Sequence, residues 1–275
     1  MILVNGVHQQ HIPIADRGFQ YGDGLFETIE VTNSQLVFIE RHLARLNTGC
    51  HRLHIPCPDL TLLTVEAQDL CRHSSRAVLK IIVTRGTGGR GYRQPDCIQP
   101  TRVLSLHPYP DFPDSYSEQG IVARICSTPL GLNPFLAGIK HMNRLEQVMA
   151  RSEWTDPAIQ EGIMLDVNAQ VIEGTMTNLF YVKEGIIYTS SLAQAGVAGI
   201  MRGIIIELTA NKELRVIEHT YTQEQLLSAD EIFVCNAIIG IWPIHQIENV
   251  HFAVGPITRR LQNCLAQFKN EALLR

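Results

Sequence analysis

The stretch LFETIEVTNSQLVFIERHLARLNTGCHRL, residues 25–53, decides the fold class. Residues 25–31 and 35–39 are apolar and β-branched runs on either side of Thr32-Asn33-Ser34, three residues that favour a turn, so the pattern predicts a hairpin. From Ile39 the period changes. Ile39, Leu43, Leu46, Cys50 and Leu53 recur at helical spacing until Pro56 and Pro58 stop the helix. Hairpin and helix in one unbroken run define a mixed α/β chain.

Upstream, residues 1–7 read as a short strand with a turn at Gly6. Downstream, the pattern predicts a helix over 60–73 and a strand over 77–85, which ends in the glycine-dense Arg85-Gly-Thr-Gly-Gly-Arg-Gly-Tyr92. A short strand over 102–106 follows. The segment HPYPDFPDSYS, residues 107–117, holds three prolines and no regular period, and it marks a domain boundary. The organisation expected is an N-terminal α/β domain over 1–115, a linker region over 116–134 and a C-terminal domain over 135–275. The second half predicts strands at 121–126, 162–167, 171–172, 178–182, 186–189 and 231–236. It also predicts helices at 199–211, 223–228 and 257–271, with helical periodicity returning at Met142, Leu145 and Met149.

Of the 275 residues 45% are hydrophobic and 18% charged, a globular composition that argues against disorder and coiled coil. The formal net charge of −4 offers no basic surplus for a nucleic-acid backbone. Seven cysteines, an odd number without a CxxC pair, read as reduced thiols and not as a disulfide frame or zinc cage. With no basic leader at the N-terminus and no apolar run of about 20 residues, the reading is a soluble cytoplasmic protein with no membrane partner.

Lysine is scarce: Lys80, Lys140, Lys183, Lys212 and Lys269. Lys183 sits at a turn, Lys212 at a helix end and Lys269 on the terminal helix, all solvated settings. Lys80 lies within a strand, read as an edge position or a snorkelling side chain. Lys140 follows Asn-Pro-Phe-Leu-Ala-Gly-Ile and stands at the entrance of a helix with apolar residues before it. A desolvated lysine has a lowered pKa and can serve as a nucleophilic amine; the plainer reading is a lysine paired to a carboxylate. Residues 194–202, Gln-Ala-Gly-Val-Ala-Gly-Ile-Met-Arg, bring small residues straight into a helix, where unpaired amides suit a phosphate. Cys235-Asn236-Ala237 ends a buried strand and offers a further set of amides. Arg45 borders the core on its helix; a guanidinium forks onto phosphate, but the plainer reading of one arginine is a surface ion pair. Glu173 is an acid embedded between apolar strand residues and a glycine, and a buried carboxylate requires a partner. An amine, an acid for a pyridine nitrogen and a phosphate cup are the parts that pyridoxal phosphate needs. The fingerprints GxGxxG after a strand, GxxxxGK[ST], HExxH and GxSxG are absent.

The chain resembles the fold-type IV pyridoxal phosphate enzymes, the family of the branched-chain and D-amino-acid aminotransferases. The likeness is carried by Asp-Arg-Gly-Phe-Gln-Tyr-Gly-Asp-Gly-Leu-Phe-Glu-Thr (16–28), His-Leu-Ala-Arg-Leu (42–46), Arg-Gly-Thr-Gly-Gly-Arg-Gly-Tyr (85–92), Leu-Ala-Gly-Ile-Lys-His-Met-Asn-Arg-Leu-Glu-Gln (136–147), residues 194–202 and Ala-Asp-Glu-Ile-Phe-Val-Cys-Asn-Ala (229–237). Gly-Gly-Arg-Gly-Tyr, Ile-Lys-His-Met-Asn-Arg-Leu-Glu-Gln and Gly-Ile-Met-Arg resemble the lyase branch that acts on 4-amino-4-deoxychorismate. The resemblance implies a smaller N-terminal α/β domain and a larger C-terminal cofactor domain with an antiparallel-rich sheet or barrel and helices. It implies that Lys140 holds pyridoxal 5'-phosphate as an internal aldimine and that Glu173 pairs with the ring nitrogen. Arg45, the amides of Ile200 and Met201, and Asn236 with Ala237 then hold the phosphate, and Met201 stands where the aminotransferases carry a hydroxyl. Phe26, Arg90, Tyr92 and Arg144 are the implied substrate contacts, Thr28 a catalytic hydroxyl, and the active form a homodimer whose pockets are completed across the interface. The implied reaction releases 4-aminobenzoate and pyruvate, a step of folate synthesis. An aminotransferase on the same scaffold is the alternative, and a non-catalytic phosphate-binding module the distant one.

Overall fold

The computed structural model describes residues 1–210 and 214–274. The chain forms two units: Met1–Pro110 with Ile139–Asn143 and the end of the chain from Ala272, and Asp111–Gly138 with Arg144–Glu271. The expected division at 115 therefore moves to Pro110, and the five residues around Lys140 belong to the first unit.

The first unit contains β1 (Ile2–Val4), β2 (Val7–His8), α1 (Arg17–Tyr21), β3 (Gly24–Thr32), β4 (Gln35–Leu36), α2 (Ile39–Arg52), α3 (Leu60–Cys71), β5 (Arg76–Thr84) and β6 (Thr101–Pro108). Its strands run β2-β1-β6-β5-β3-β4, with every described pairing antiparallel. The hairpin predicted at Thr32-Asn33-Ser34 is present, but its second strand is only Gln35–Leu36. Phe38 takes a left-handed φ of 57° and turns the chain into α2 at Ile39. The alternation of β3 then does its work. Leu25, Ile29 and Val31 are buried in one cluster with Leu43, Leu46 and Cys50 of α2 and Leu63, Ala67 and Leu70 of α3. Asp59 starts α3 by accepting the Thr61 and Leu62 amides at 2.7 and 3.2 Å.

The second unit contains α4 (Ser115–Glu118), β7 (Ile121–Ile125), α5 (Leu145–Arg151), β8 (Glu161–Leu165), β9 (Val171–Gly174), β10 (Asn178–Lys183), β11 (Ile186–Ser190), α6 (Ile200–Ala210), β12 (Val216–His219), α7 (Gln223–Leu227), β13 (Glu231–Asn236), β14 (Gly240–Ile247), β15 (Val250–His251) and α8 (Pro256–Leu273). The sheet order is β12-β11-β10-β13-β14-β7-β8-β9, with β15 on β14. Pairing is mixed: β11–β12, β14–β7 and β7–β8 are parallel and the other described pairs antiparallel. The expected linker 116–134 is not one, because β7 is hydrogen-bonded on both edges and so sits inside the sheet. The sequence pattern passed over β12 and β14. The latter carries Pro243, which speaks against an interior strand, and its pairing to β7 shifts register between Ile244 and Gln246. The predicted end of α6 at Asn211, and Lys212 with it, lie outside the described residues.

Candidate active site

In the first unit the segment Ile139–Asn143 is laid against β3. The Phe26 amide donates to the Lys140 carbonyl at 3.1 Å and the Met142 amide to the Gly24 carbonyl at 2.9 Å, with Leu25 and His141 as bridge partners. Lys140 is therefore held by strand pairing and does not open a helix, since α5 begins at Leu145. Met142 likewise lies outside α5. The side chain of Lys140 stands over the Phe26 ring, Nζ 4.3 Å from its centroid, an arrangement favourable to a cation. Lys80 Nζ is 5.3 Å from the same centroid. Lys80 is no edge residue: β5 lies between β3 and β6, with Lys80 opposite Thr28 on one side and Ser105 on the other. Phe26 and Thr28 are two residues apart on β3 and so share a face.

Glu27 points the other way, into the core side, and is 1% exposed. It accepts from Arg45 Nε at 2.8 Å, from Arg45 Nη2 at 2.5 Å and from His42 Nδ1 at 2.7 Å. Burial by itself would raise the Glu27 pKa, but hydrogen bonds from His42 and Arg45 and the Arg45 charge more than offset it, and the carboxyl is held below its usual range. Burial, helped by the charges of Arg45 and Lys140, outweighs the pull of Glu27 on His42 and holds its imidazole below the usual value. With Nδ1–H given to a carboxylate, Nε2 is left as a buried acceptor with no hydrogen-bond partner among the described residues.

Arg17, Asp23 and Arg85 of the quoted stretches have structural duties. Asp23 gathers Arg17 Nε at 2.9 Å and Arg85 Nε at 2.8 Å, and Arg85 also donates to the Leu53 and His54 carbonyls at 2.8 Å. Arg17 Nη1 donates to the Gly91 carbonyl at 3.0 Å and so ties down the glycine-dense loop. Arg90 and Tyr92 ride on that loop and are exposed, Tyr92 at 88%.

In the second unit Glu173 lies on β9, 4% exposed. Its Oε2 accepts from the Val197 amide at 2.8 Å and from Asn178 Nδ2 at 3.5 Å, while the same Nδ2 donates to the Val197 carbonyl at 2.8 Å. The turn before α6 is thus pinned to an acid on the sheet. A Cβ at Gly199 would meet Asn178 Oδ1 at 2.0 Å, and Gly196, at φ +87°, would place one 2.8 Å from Ile172 and 3.3 Å from Glu173 Oε2. Only glycine lets the main chain come this close. The first amides of α6 have no acceptor within the helix, so Ile200 and Met201 present donors at its positive end. Met201 itself is 3% exposed, its side chain committed to the core. Asn236 is the last residue of β13. Its Oδ1 accepts the Ile238 and Ile239 amides at 2.8 and 2.9 Å and its Nδ2 donates to the Met176 carbonyl at 3.2 Å, so the side chain builds the turn that displays Ala237. Arg144 directly precedes α5 and its carbonyl accepts the Val148 amide at 3.0 Å. Sequence reasoning passed over Glu27, His42 and Asn178, and gave Lys80 only a structural setting. The signal for the first two was available: an acid and a histidine occupy slots that the β and α periods assign to the core, where each requires a partner.

Residues 24–247 match the amino-transferase class IV family, and the chain belongs to that family. Over 269 residues, 96% of this chain and 99% of the relative, it is 38% identical to the aminodeoxychorismate lyase of Vibrio harveyi. The crystal structure of 4-amino-4-deoxychorismate lyase from Pseudomonas aeruginosa is similar with a TM-score of 0.94 at 42% identity, covering 97% of this chain and 98% of that one. The branched-chain amino acid aminotransferase of Escherichia coli is more distant, at a TM-score of 0.85 and 25% identity over 95% and 92% of the two chains. The fold-type IV architecture expected from the quoted stretches is the one the chain adopts.

Proposed function

We propose that this chain is a pyridoxal phosphate-dependent carbon–oxygen lyase that converts 4-amino-4-deoxychorismate to 4-aminobenzoate and pyruvate. The observation that carries the reading is Lys140, set by strand pairing over the Phe26 ring, in a chain that matches two proteins of that name over nearly its whole length. The residues present fit the cofactor. The turn at 196–199, which requires glycine at both ends, and the start of α6 leave main-chain donors for a phosphate, and Glu173 beside that turn is an acid suited to a pyridinium nitrogen. In this reading Lys140 carries the cofactor through Nζ, Glu173 keeps the ring nitrogen protonated, and Arg45 with the amides of Ile200, Met201 and Ala237 holds the phosphate. Asn236 contributes by shaping its turn. Pyridoxal phosphate, when bound, supplies an electron-accepting ring that stabilises negative charge on the carbon bearing the substrate's amine.

Lys140, freed as a neutral amine when the substrate's own amine takes its place, removes the proton from that carbon. The enolpyruvyl C–O bond then breaks with its electron pair going to oxygen, and the other product becomes aromatic. Thr28, on the Phe26 face of β3, supplies a hydroxyl toward the leaving oxygen. Lys80 supplies an ammonium for a substrate carboxylate, and Arg90, Tyr92 and Arg144 are the further substrate contacts. The substrate divides into its two products without water or a keto acid, which is what separates this reaction from transamination.

The active form in this reading is a homodimer, with Arg90 and Tyr92 serving the partner's pocket. It is supported by Leu145, Val148 and Met149, which share one face of α5 and are 77%, 61% and 59% exposed. A cytoplasmic setting is supported by seven free thiols; no described helix is long and apolar enough to cross a membrane. The test is to supply purified protein with the substrate alone and follow pyruvate, and to locate by mass spectrometry the peptide tagged after borohydride reduction. Pyruvate release with a tag on Lys140, both lost in Lys140→Ala, is the expected result. A requirement for 2-oxoglutarate and an amino donor, or a tag elsewhere, overturns the reading.

A further inference from the structure

Glu27 lies on the core-facing side of β3 and commits both carboxylate oxygens to α2: Oε1 to Arg45 Nε, and Oε2 to Arg45 Nη2 and His42 Nδ1. His42 and Arg45 are three residues apart on the helix and so lie on one face of it. The two-point contact fixes the plane of the guanidinium, and the histidine fixes the carboxylate that fixes the arginine. Arg45 is the outer member of the trio, its side chain 15% exposed against 1% for each of the others. A buried ion pair is a poor source of stability, because removing the charges from water costs about as much as their attraction returns. Its specific service is orientation.

We propose that Glu27 and His42 are positioning residues that hold the Arg45 guanidinium ready to read a phosphate, and that they thereby set how strongly the chain prefers pyridoxal phosphate over pyridoxal. The inference rests on the placement of Arg45 at the phosphate given above, and it adds two residues that do not touch the ligand themselves. A guanidinium released from Glu27 must be ordered anew each time a phosphate arrives, whereas an aldehyde ring without a phosphate is indifferent to the change.

The experiment titrates the full chain, stripped of bound cofactor, with pyridoxal phosphate and with pyridoxal in parallel, for the wild type and for Glu27→Gln, His42→Leu and His42→Asn. Melting temperature is recorded for each protein. Glu27→Gln and His42→Leu are expected to weaken pyridoxal phosphate by about 10–100-fold, the size that partners behind a ligating side chain contribute at metal sites, while pyridoxal changes by no more than about twofold. His42→Asn keeps a side-chain N–H close to the position of Nδ1 and is expected to restore the wild-type preference. Equal weakening of both ligands in the variants, or a His42→Asn protein no better than His42→Leu, overturns the proposal by assigning the trio a purely structural role. If Glu27→Gln does not fold, the two His42 variants decide the matter alone. A wild type that binds both ligands equally tightly sinks the phosphate role of Arg45 first, and this proposal with it.

Discussion

Replacing Glu161 tests whether one buried carboxylate organises the turn that follows Glu173. Glu161 begins β8 and is 1% exposed. Its Oε1 accepts the Gly162 amide at 2.8 Å, the Thr175 amide at 3.0 Å and the Thr175 hydroxyl at 2.6 Å, and its Oε2 accepts the Thr177 hydroxyl at 2.8 Å. Glu161→Ala orphans four donors. The two hydroxyls can rotate toward other acceptors, but the two amides cannot, and at about 1–3 kcal/mol for each buried donor left unmade the loss is about 2–6 kcal/mol. At about 2–4 °C per kcal/mol, a central loss of about 4 kcal/mol lowers the melting temperature by about 8–16 °C. Glu161→Gln keeps an oxygen toward the three donors on the Oε1 side and turns its amide toward the Thr177 hydroxyl, so about 1 kcal/mol is expected. Burial raises the Glu161 pKa, more than its hydrogen bonds lower it. A raised acid costs stability as pH climbs above the unfolded value near 4.5, because the folded state holds its proton longer. Glu161→Gln removes that slope. Calorimetry across about pH 4–8 reads both effects. An alanine variant melting within about 2 °C of the wild type, or a glutamine variant as unstable as the alanine one, would refute the reasoning.

Lys80→Met keeps the stem of the side chain and removes the ammonium; KM should rise by about 10–100-fold with a smaller change in kcat, as expected for a lost hydrogen bond to a charged group, and an unchanged KM in steady-state kinetics counts against the carboxylate role. His42 is held neutral below its ordinary value near 6.5, so the unfolded chain binds the extra proton first and stability falls as pH drops below 6.5; His42→Asn should flatten that fall in a melting series, and an identical series would exclude it. Leu46, 1% exposed in the core beneath β3, should cost about 2–5 kcal/mol as Leu46→Ala in denaturant unfolding, and a loss under about 1 kcal/mol would mean the helix is not packed as described.

Residues 25–53 were legible because their signals are local. The alternation of β3 and the 3.6-residue spacing of Ile39, Leu43, Leu46 and Cys50 are set by backbone geometry, and Pro56 and Pro58 act on their own neighbours. Glu173 on a strand and the small-residue approach to α6 were legible for the same reason. Pairings between distant segments were not. Nothing near Lys80 says that β5 has β3 on one side and β6 on the other, and nothing near Lys140 says that its main chain bonds to β3 and leaves the helix to begin at Leu145. Pro243 masked an interior strand because β7, the partner that closes its outer side, is remote in sequence. The sequence by itself determined which residues could carry charge, bend or a core face; the tertiary structure alone decided which of them meet. Arg45 and Glu27 are 18 positions apart, and only the packing of α2 on β3 turns an arginine that a solvated surface would explain equally well into one arm of a buried fork.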